Sequence, residues 1–172
     1  MAAEASWRIE SLGPGHSREG FACGEPELDD FLRRYARQNQ EKGLSRTFVA
    51  LPPGETRVVG YFTLSMGSLE FSVLPEEDRR RLPRYPIPVV HLGRLAVDRA
   101  EQGRGLGGQL IAAALERALA VSETAGAYAI EVLAKGEGAA AFYRRFGFHP
   151  VVEDPLHLYL RLDRIRGLYG RP

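Results

Sequence analysis

The residues in this 172-residue chain whose types and spacing point first to chemistry are Gln102-Gly103-Arg104-Gly105-Leu106-Gly107, which fit the pattern Q-x-x-G-x-G. Glycines let the backbone take positive φ and approach an anion closely. A helix that begins there offers N–H groups with no intrahelical partner, in the favourable field of the aligned peptide dipoles. Gln102 and Arg104 add side-chain donors at the rim of such a turn, and a phosphate-bearing ligand is the guest it suits. The glycines alone fit equally well a turn that only starts a helix. Gly103, Gly105 and Gly108 also spell G-x-G-x-x-G. A dinucleotide fold is not supported, because Glu131 falls mid-strand and no further βαβ unit follows. No G-K-[ST] follows either, which excludes a Walker loop.

The elements that must hold this turn are legible around it. Val89–Val97 reads as a strand. After the turn, Leu106, Leu110, Ala114 and Ala118 recur one helical turn apart, with Ile111, Leu115 and Leu119 beside them, so one helix face is apolar. Earlier, Trp7–Leu12 reads as a weak strand. Gly24-Glu25-Pro26-Glu27 opens a helix with an apolar stripe of Leu28, Phe31, Leu32 and Tyr35, which Gly43 ends. Thr47–Leu51 and Val58–Met66 form an antiparallel hairpin across Pro52-Pro53-Gly54. Glu76–Leu82 reads as a short helix, and Pro83, Pro86 and Pro88 impose extended backbone before the central strand. Ala127–Ala134 is a strand, Gly138–Phe146 a short helix, and Phe148–Val152 and Leu156–Leu162 are closing strands. The tail from Asp163 on is polar and expected to fray. The pattern is one mixed α/β domain.

Composition narrows the function classes. Length and a hydrophobic content of 44% fit one soluble globular domain. No run approaches a membrane span, and MAAEASWRIE lacks the basic-then-apolar build of a secretory signal, so a cytoplasmic location and no membrane partner are expected. A single cysteine, Cys23, excludes an internal disulfide and a cysteine-built metal site; it has no role beyond packing. His16, His91, His149 and His157 show no ligand spacing, so no metal is expected. Net charge is +1, yet the cations other than Lys42 and Lys135 are all arginine, the residue suited to bidentate phosphate contacts. A GC-rich genome produces the same bias.

The strand and turn through Gly107, together with Ala141-Phe142-Tyr143-Arg144-Arg145-Phe146-Gly147-Phe148, resemble the GNAT acetyltransferase family, whose later motif A-x-x-F-Y-x-x-x-G-F is met by Ala139 through Phe148. A narrower resemblance, over about residues 21–162, is to the GNAT toxins of type II toxin–antitoxin systems. It is carried by Phe21 through Leu32, Ser45-Arg46-Thr47, Pro86-Ile87-Pro88-Val89-Val90 and Gly93 through Asp98. Residues 163–172 lie outside it. The resemblance implies a single GNAT domain over residues 1–172, an α/β (α+β) fold with a mixed, mostly antiparallel sheet of about six to seven strands, splayed at its centre and flanked by about four helices. It implies acetyl-CoA as cosubstrate and acetylation of the α-amine on aminoacyl-tRNA, which blocks translation. A homodimer and a ribbon-helix-helix antitoxin partner are also implied.

Carried over by position, the resemblance puts acetyl-CoA against Leu95, Ala96, Val97, Gln102, Gly103, Arg104, Gly105, Leu106, Gly107, Gly108 and Phe142, and makes Tyr143 the general acid. A phenol with an ordinary pKa near 10 can protonate or hydrogen-bond the departing sulfur. A tyrosine that packs its ring and donates to a backbone carbonyl fits the same residue. No strong base stands out; His91, Glu70 and Glu131 are candidates, each with a plain reading as a strand or loop residue. An α-amine, titrating near 7.7–8.0 and lower beside an ester, needs less help than a lysine near 10.4. A tRNA body calls for a basic surface, for which Arg33, Arg34, Arg37, Arg46, Arg79, Arg80, Arg81, Arg94, Arg144 and Arg145 are the candidates, Arg84 adjoining them. Glu76, Glu77 and Asp78 dilute the triple arginine. The alternatives are an acetyltransferase for a small amine or a protein N-terminus, and a non-catalytic CoA-binding module.

Overall fold

The computed structural model describes residues 6–167. Strands form where β-branched and aromatic residues cluster between Gly, Pro and polar turns. They are β1 (Arg8–Ser11), β2 (Arg46–Leu51), β3 (Gly60–Leu69), β4 (Ile87–Val97), β5 (Ala129–Leu133), β6 (His149–Val151) and β7 (Asp154–Arg161). The helices are α1 (Pro26–Asp30), α2 (Ala36–Glu41), α3 (Glu76–Arg79), α4 (Leu106–Thr124), α5 (Glu137–Arg144) and α6 (Leu162–Arg166). The sheet has seven strands in the order β1-β2-β3-β4-β5-β7-β6. Its β1–β2, β2–β3, β5–β7 and β6–β7 pairs are antiparallel, while β4 and β5 are parallel over Val89–Leu92 and Ala129–Val132. A parallel pair requires a crossover, and α4 supplies it. The mixed, mostly antiparallel sheet expected from the sequence is present.

Three local features differ from the sequence reading. A π turn, Phe31–Tyr35, joins α1 to α2, so the first helix is continuous but locally widened, and among the described residues the helical rods number five. Its Phe31 and Leu32 are buried while Arg33, Arg34 and Tyr35 face solvent. The helix expected over Glu76–Leu82 stops at Arg79. The tail does not fray at Asp163: α6 forms there because Ile165, 1% exposed, is an apolar anchor among charges. Residues 168–172 of that expected tail lie outside the described residues.

The chain forms two compact units, one running to Ser65 and including Gly93–Ala114, the other containing Met66–Leu92 and the residues from Leu115 on. In the first, Phe21 and Phe31 set their rings 5.6 and 6.2 Å from Tyr61. Tyr61 is fully buried, and its hydroxyl donates to the Leu28 carbonyl at 2.7 Å. In the second, Leu69, Leu74, Ile87, Val89, Ala129 and Tyr159 form the core. Beside them Asp78, 3% exposed, accepts from Tyr128 at 2.5 Å, from Tyr159 and from Arg161 at 3.4 Å. Three donors satisfy this buried carboxylate, as burial of a charge demands.

Gly60, at the start of β3, has no room for a side chain. An added Cβ would lie 3.0 Å from Leu106 Cδ2, 3.2 Å from Leu110 Cδ1 and 3.3 Å from the Ala96 carbonyl oxygen, which is backbone and cannot turn aside. Gly60→Ala is therefore expected to destabilise the protein by about 1–3 kcal/mol through overpacking, read as a lowered denaturation midpoint at unchanged slope.

Candidate active site

In the first unit, the candidate element is the turn between β4 and α4. Asp98 holds its entrance: one carboxylate oxygen accepts from Ala100 N at 2.9 Å and the other from Ala22 N at 3.1 Å. A short 3-10 turn, Arg99–Glu101, follows. Gln102 then fixes the loop, because its side-chain amide donates to the Val97 carbonyl at 2.9 Å and the Cys23 carbonyl at 3.0 Å. This corrects its reading as a rim donor: both amide hydrogens are spent inside the protein. Gly103 and Gly105 have φ of +79° and +88°, and nothing lies within 4 Å of a Cβ built on either. They are glycine for conformation, and the space beside them is open. Leu106 is 1% exposed, which anchors the start of α4, and Gln109 N closes the first helical bond to the Gly105 carbonyl at 3.2 Å. The N–H groups of Leu106, Gly107 and Gly108 thus belong to the first turn of a 19-residue helix.

Arg104 stands at the rim with a side chain 52% exposed, one nitrogen donating to Glu101 at 2.7 Å. Glu101, itself 7% exposed, also accepts from Trp7 Nε1 at 3.3 Å, and the Arg104 guanidinium lies 5.7 Å from the Trp7 ring. The sequence reading passed over Glu101, whose only signal was an acid directly before the glycine motif. On β4, Ala96 is buried in the first unit's core while Leu95 and Val97 are half-buried on the alternate face.

In the second unit, the candidate element is Tyr143 on α5. It is 7% exposed, with its ring edge-on to Phe142 at 5.3 Å and Phe148 at 5.7 Å. Phe142 also meets Phe146 at 5.1 Å. Gly147, at φ +97°, ends the helix and returns Phe148 beneath the tyrosine. The Tyr143 hydroxyl has no hydrogen-bond partner among the described residues, so it is not the phenol tied to a backbone carbonyl. Burial pushes its pKa up to about 12, so it stays protonated at physiological pH. The hydroxyl is a donor without an acceptor.

Of the three candidate bases, the structure brings His91 and Glu131 together and leaves Glu70 exposed in a loop. His91 Nδ1 lies 2.9 Å from one Glu131 oxygen, and His157 Nε2 lies 2.5 Å from the other. Burial raises the Glu131 pKa, but the hydrogen bonds from the two imidazoles outweigh it and hold the carboxyl below its ordinary range. His157 was missed because its signal, one polar residue in the alternating Leu156–Leu162 strand, has meaning only once β7 is known to pair with β5. Cys23 is half-buried, with its thiol pushed up to about 11 by desolvation, so it carries no reactive thiolate. No group of three or more His, Cys, Asp or Glu among the described residues is arranged to hold a metal ion.

The arginines divide by what they touch. Arg33 donates to the Phe21 carbonyl at 3.0 Å, Arg37 pairs with Glu41 at 3.1 Å, and Arg46 reaches Ser11 at 3.0 Å. Arg94 lies 3.6 Å over the Phe31 ring. In the second unit Arg80 pairs with Glu76 at 3.0 Å, Arg81 with Asp163 at 3.6 Å and Arg144 with Glu137. Arg145 lies 5.6 Å from the Phe142 ring. Arg34 and Arg79 are exposed and make no ion pair among the described residues. Among those residues no helix is long and apolar enough to cross a membrane.

The model of the acetyltransferase (GNAT) family matches residues 10–148. A tRNA-acetylating toxin of Mycobacterium tuberculosis (strain ATCC 25618 / H37Rv) is 45% identical over 150 residues, 87% of this chain and 89% of that protein. The solved structure of AtaT complexed with acetyl-methionyl-tRNAfMet has a TM-score of 0.90 at 31% identity, over 96% of this chain and 100% of that one. A mutant AtaT toxin bound to the C-terminus of the antitoxin AtaR and acetyl-CoA gives 0.82 at 30%, over 96% and 99%.

Gly105→Val forces a β-branched residue to φ +88°, a strain of about 1–3 kcal/mol; calorimetric titration should show acetyl-CoA affinity reduced about tenfold or more. Glu131 has a lowered folded pKa, so it contributes stability above its unfolded value near 4.5, and the contribution is lost as pH falls through the lower folded value. Glu131→Gln should therefore be less stable than wild type at neutral pH, with the gap closing in acid, as denaturation at a series of pH values would show.

Proposed function

Because the chain belongs to the GNAT acetyltransferase family, we propose that it transfers the acetyl group of acetyl-CoA to the α-amine of the amino acid carried by tRNA, as a toxin that blocks translation. The observation that carries the chemistry is the buried, protonated hydroxyl of Tyr143, with no acceptor among the described residues. The identity with a tRNA-acetylating toxin supports the choice of acceptor. The first-turn N–H groups of α4, with Gly103, Gly105 and Arg104, suit the pyrophosphate. The backbone of Leu95, Ala96 and Val97 suits the pantetheine arm as a partial extra strand, and Phe142 packs beside the acid. Gln102 acts by holding the turn. When bound, acetyl-CoA supplies the thioester whose carbonyl the amine attacks. The amine must be neutral, which an α-amine beside an ester reaches near pH 7. Tyr143 then delivers its proton to the departing sulfur.

The two units together are read as one acetyltransferase domain acting in the cytoplasm as a homodimer, held in check by a ribbon-helix-helix antitoxin. Arg34 and Arg79, with the exposed nitrogens of the paired arginines, are the proposed phosphate contacts. A small amine or a protein N-terminus is the second reading, favoured by the number of arginines already spent on internal partners. Binding to tRNA should fall steeply with salt if several phosphates are contacted, and a flat salt response favours the second reading.

Label from acetyl-CoA should appear on charged tRNA and not on uncharged tRNA. Tyr143→Phe should lower turnover by about 10²-fold or more while acetyl-CoA affinity stays near wild type. Tight acetyl-CoA binding without label on charged tRNA would overturn the proposal.

A further inference from the structure

We propose that His91, oriented by Glu131, is the general base that takes the proton of the attacking amine, with His157 clamping the far oxygen of Glu131. This rests on the acetyl transfer to an amine argued above and supplies the base that the sequence leaves unassigned. Glu131 is 7% exposed at the middle of β5, a place where a carboxylate is costly unless fully hydrogen-bonded. The charged groups facing it are His91 from β4, its neighbour in register, and His157 from β7. Tyr159 stands opposite in register, but its hydroxyl is taken by Asp78. From β3 the neighbour is Gly67, where a Cβ would come 3.3 Å from Glu131 Oε1 and 3.6 Å from His91 Cβ. That missing side chain leaves room over the carboxylate.

An ionised carboxylate can only accept, so the ring nitrogens that face it carry the hydrogens. His91 therefore donates from Nδ1 and presents the lone pair of Nε2, for which no partner exists among the described residues. This is the tautomer of a base, and the carboxylate behind it stabilises the imidazolium that forms. The other His157 nitrogen likewise has no partner among the described residues, but His91 is the more open, with 28% of its side chain exposed against 20%. His91, Glu131, His157 and Tyr143 all lie in the second unit. In the step, the amine nitrogen bonds to the acetyl carbon and the C–S bond breaks with its electron pair on sulfur. The sulfur takes the Tyr143 proton, and the amine proton passes to His91 Nε2. Water then receives the His91 proton and restores that of Tyr143. Glu131 and His157 are positioning residues.

The test is kcat/KM between about pH 6 and 9 for wild type, His91→Gln, Glu131→Gln and His157→Gln, with charged tRNA and with an amino-acid amide as a second α-amine acceptor. At about pH 8, His91→Gln should be reduced about 10²-fold, with the deficit smaller near pH 6, where an imidazole carries its own proton more often and cannot accept another. Glu131→Gln and His157→Gln should show smaller deficits of the same pH form, while acetyl-CoA affinity is kept by all three. A pH-independent deficit, or none, in His91→Gln overturns the proposal. Transfer to the amide but not to charged tRNA refutes the tRNA acceptor and leaves His91 judged on the amide profile. Transfer to neither by the wild type overturns both.

Discussion

The parallel pairing of β4 with β5 is the constraint on which the rest of the structure depends. Two parallel neighbours cannot be joined by a hairpin, so the chain must leave β4, travel back along the sheet and re-enter at the same end. The return is α4, and its N-terminus necessarily falls just after the C-terminal end of β4. A helix start with unpaired N–H groups is therefore obligatory at that point in the chain. What the sequence adds is control of the turn. Asp98 and Gln102 use their side chains on backbone groups of the loop and the strand end, and the two positive-φ glycines keep the space in front open. The open helix start proposed to hold the anion is a by-product of the crossover, refined by a few polar residues.

Two buried groups show how environment sets protonation. Tyr143 and Glu131 are equally hidden from solvent, each 7% exposed. Phe142 and Phe148 set their rings against Tyr143, and desolvation favours the neutral phenol. Around Glu131 there are two imidazole donors, which overcome desolvation and favour the anion. One site thus holds a proton donor and the other a proton-accepting dyad, although free tyrosine and glutamic acid differ in the same sense by less. Asp78 accepts from tyrosine and arginine donors within the second unit's core, and that cluster serves packing.

The arginine-rich surface is less free than its composition suggests. A guanidinium has five donors in a fixed fork, so Arg33, Arg46 and Arg81 can satisfy an internal acceptor and still present N–H groups outward. Exposed pairs such as Arg37–Glu41 and Arg80–Glu76 contribute little to stability and are screened by salt. Polyanion contact at these pairs means exchanging a carboxylate for a phosphate. Arg94 differs, because its guanidinium is stacked on Phe31 and helps hold the π turn in place.

The sequence by itself determined the strand–turn–helix around Gln102–Gly107, the α5 motif with Tyr143 and Gly147, and the alternating strands, because each is governed by contacts within a few residues. Helix periodicity, positive-φ glycine and two-residue alternation are local in origin. Tertiary structure decided everything that needs partners far apart in the chain. Gln102 became a clamp only through carbonyls of Cys23 and Val97. The tail became α6 because Ile165 found a buried place. The π turn arose where Phe31 and Leu32 had to reach the core together. His157 and Glu131, 26 positions apart, met because β7 lies beside β5, and His91 joined them from β4. Strand order is set by the packing of whole elements, and no local pattern of residue types encodes it.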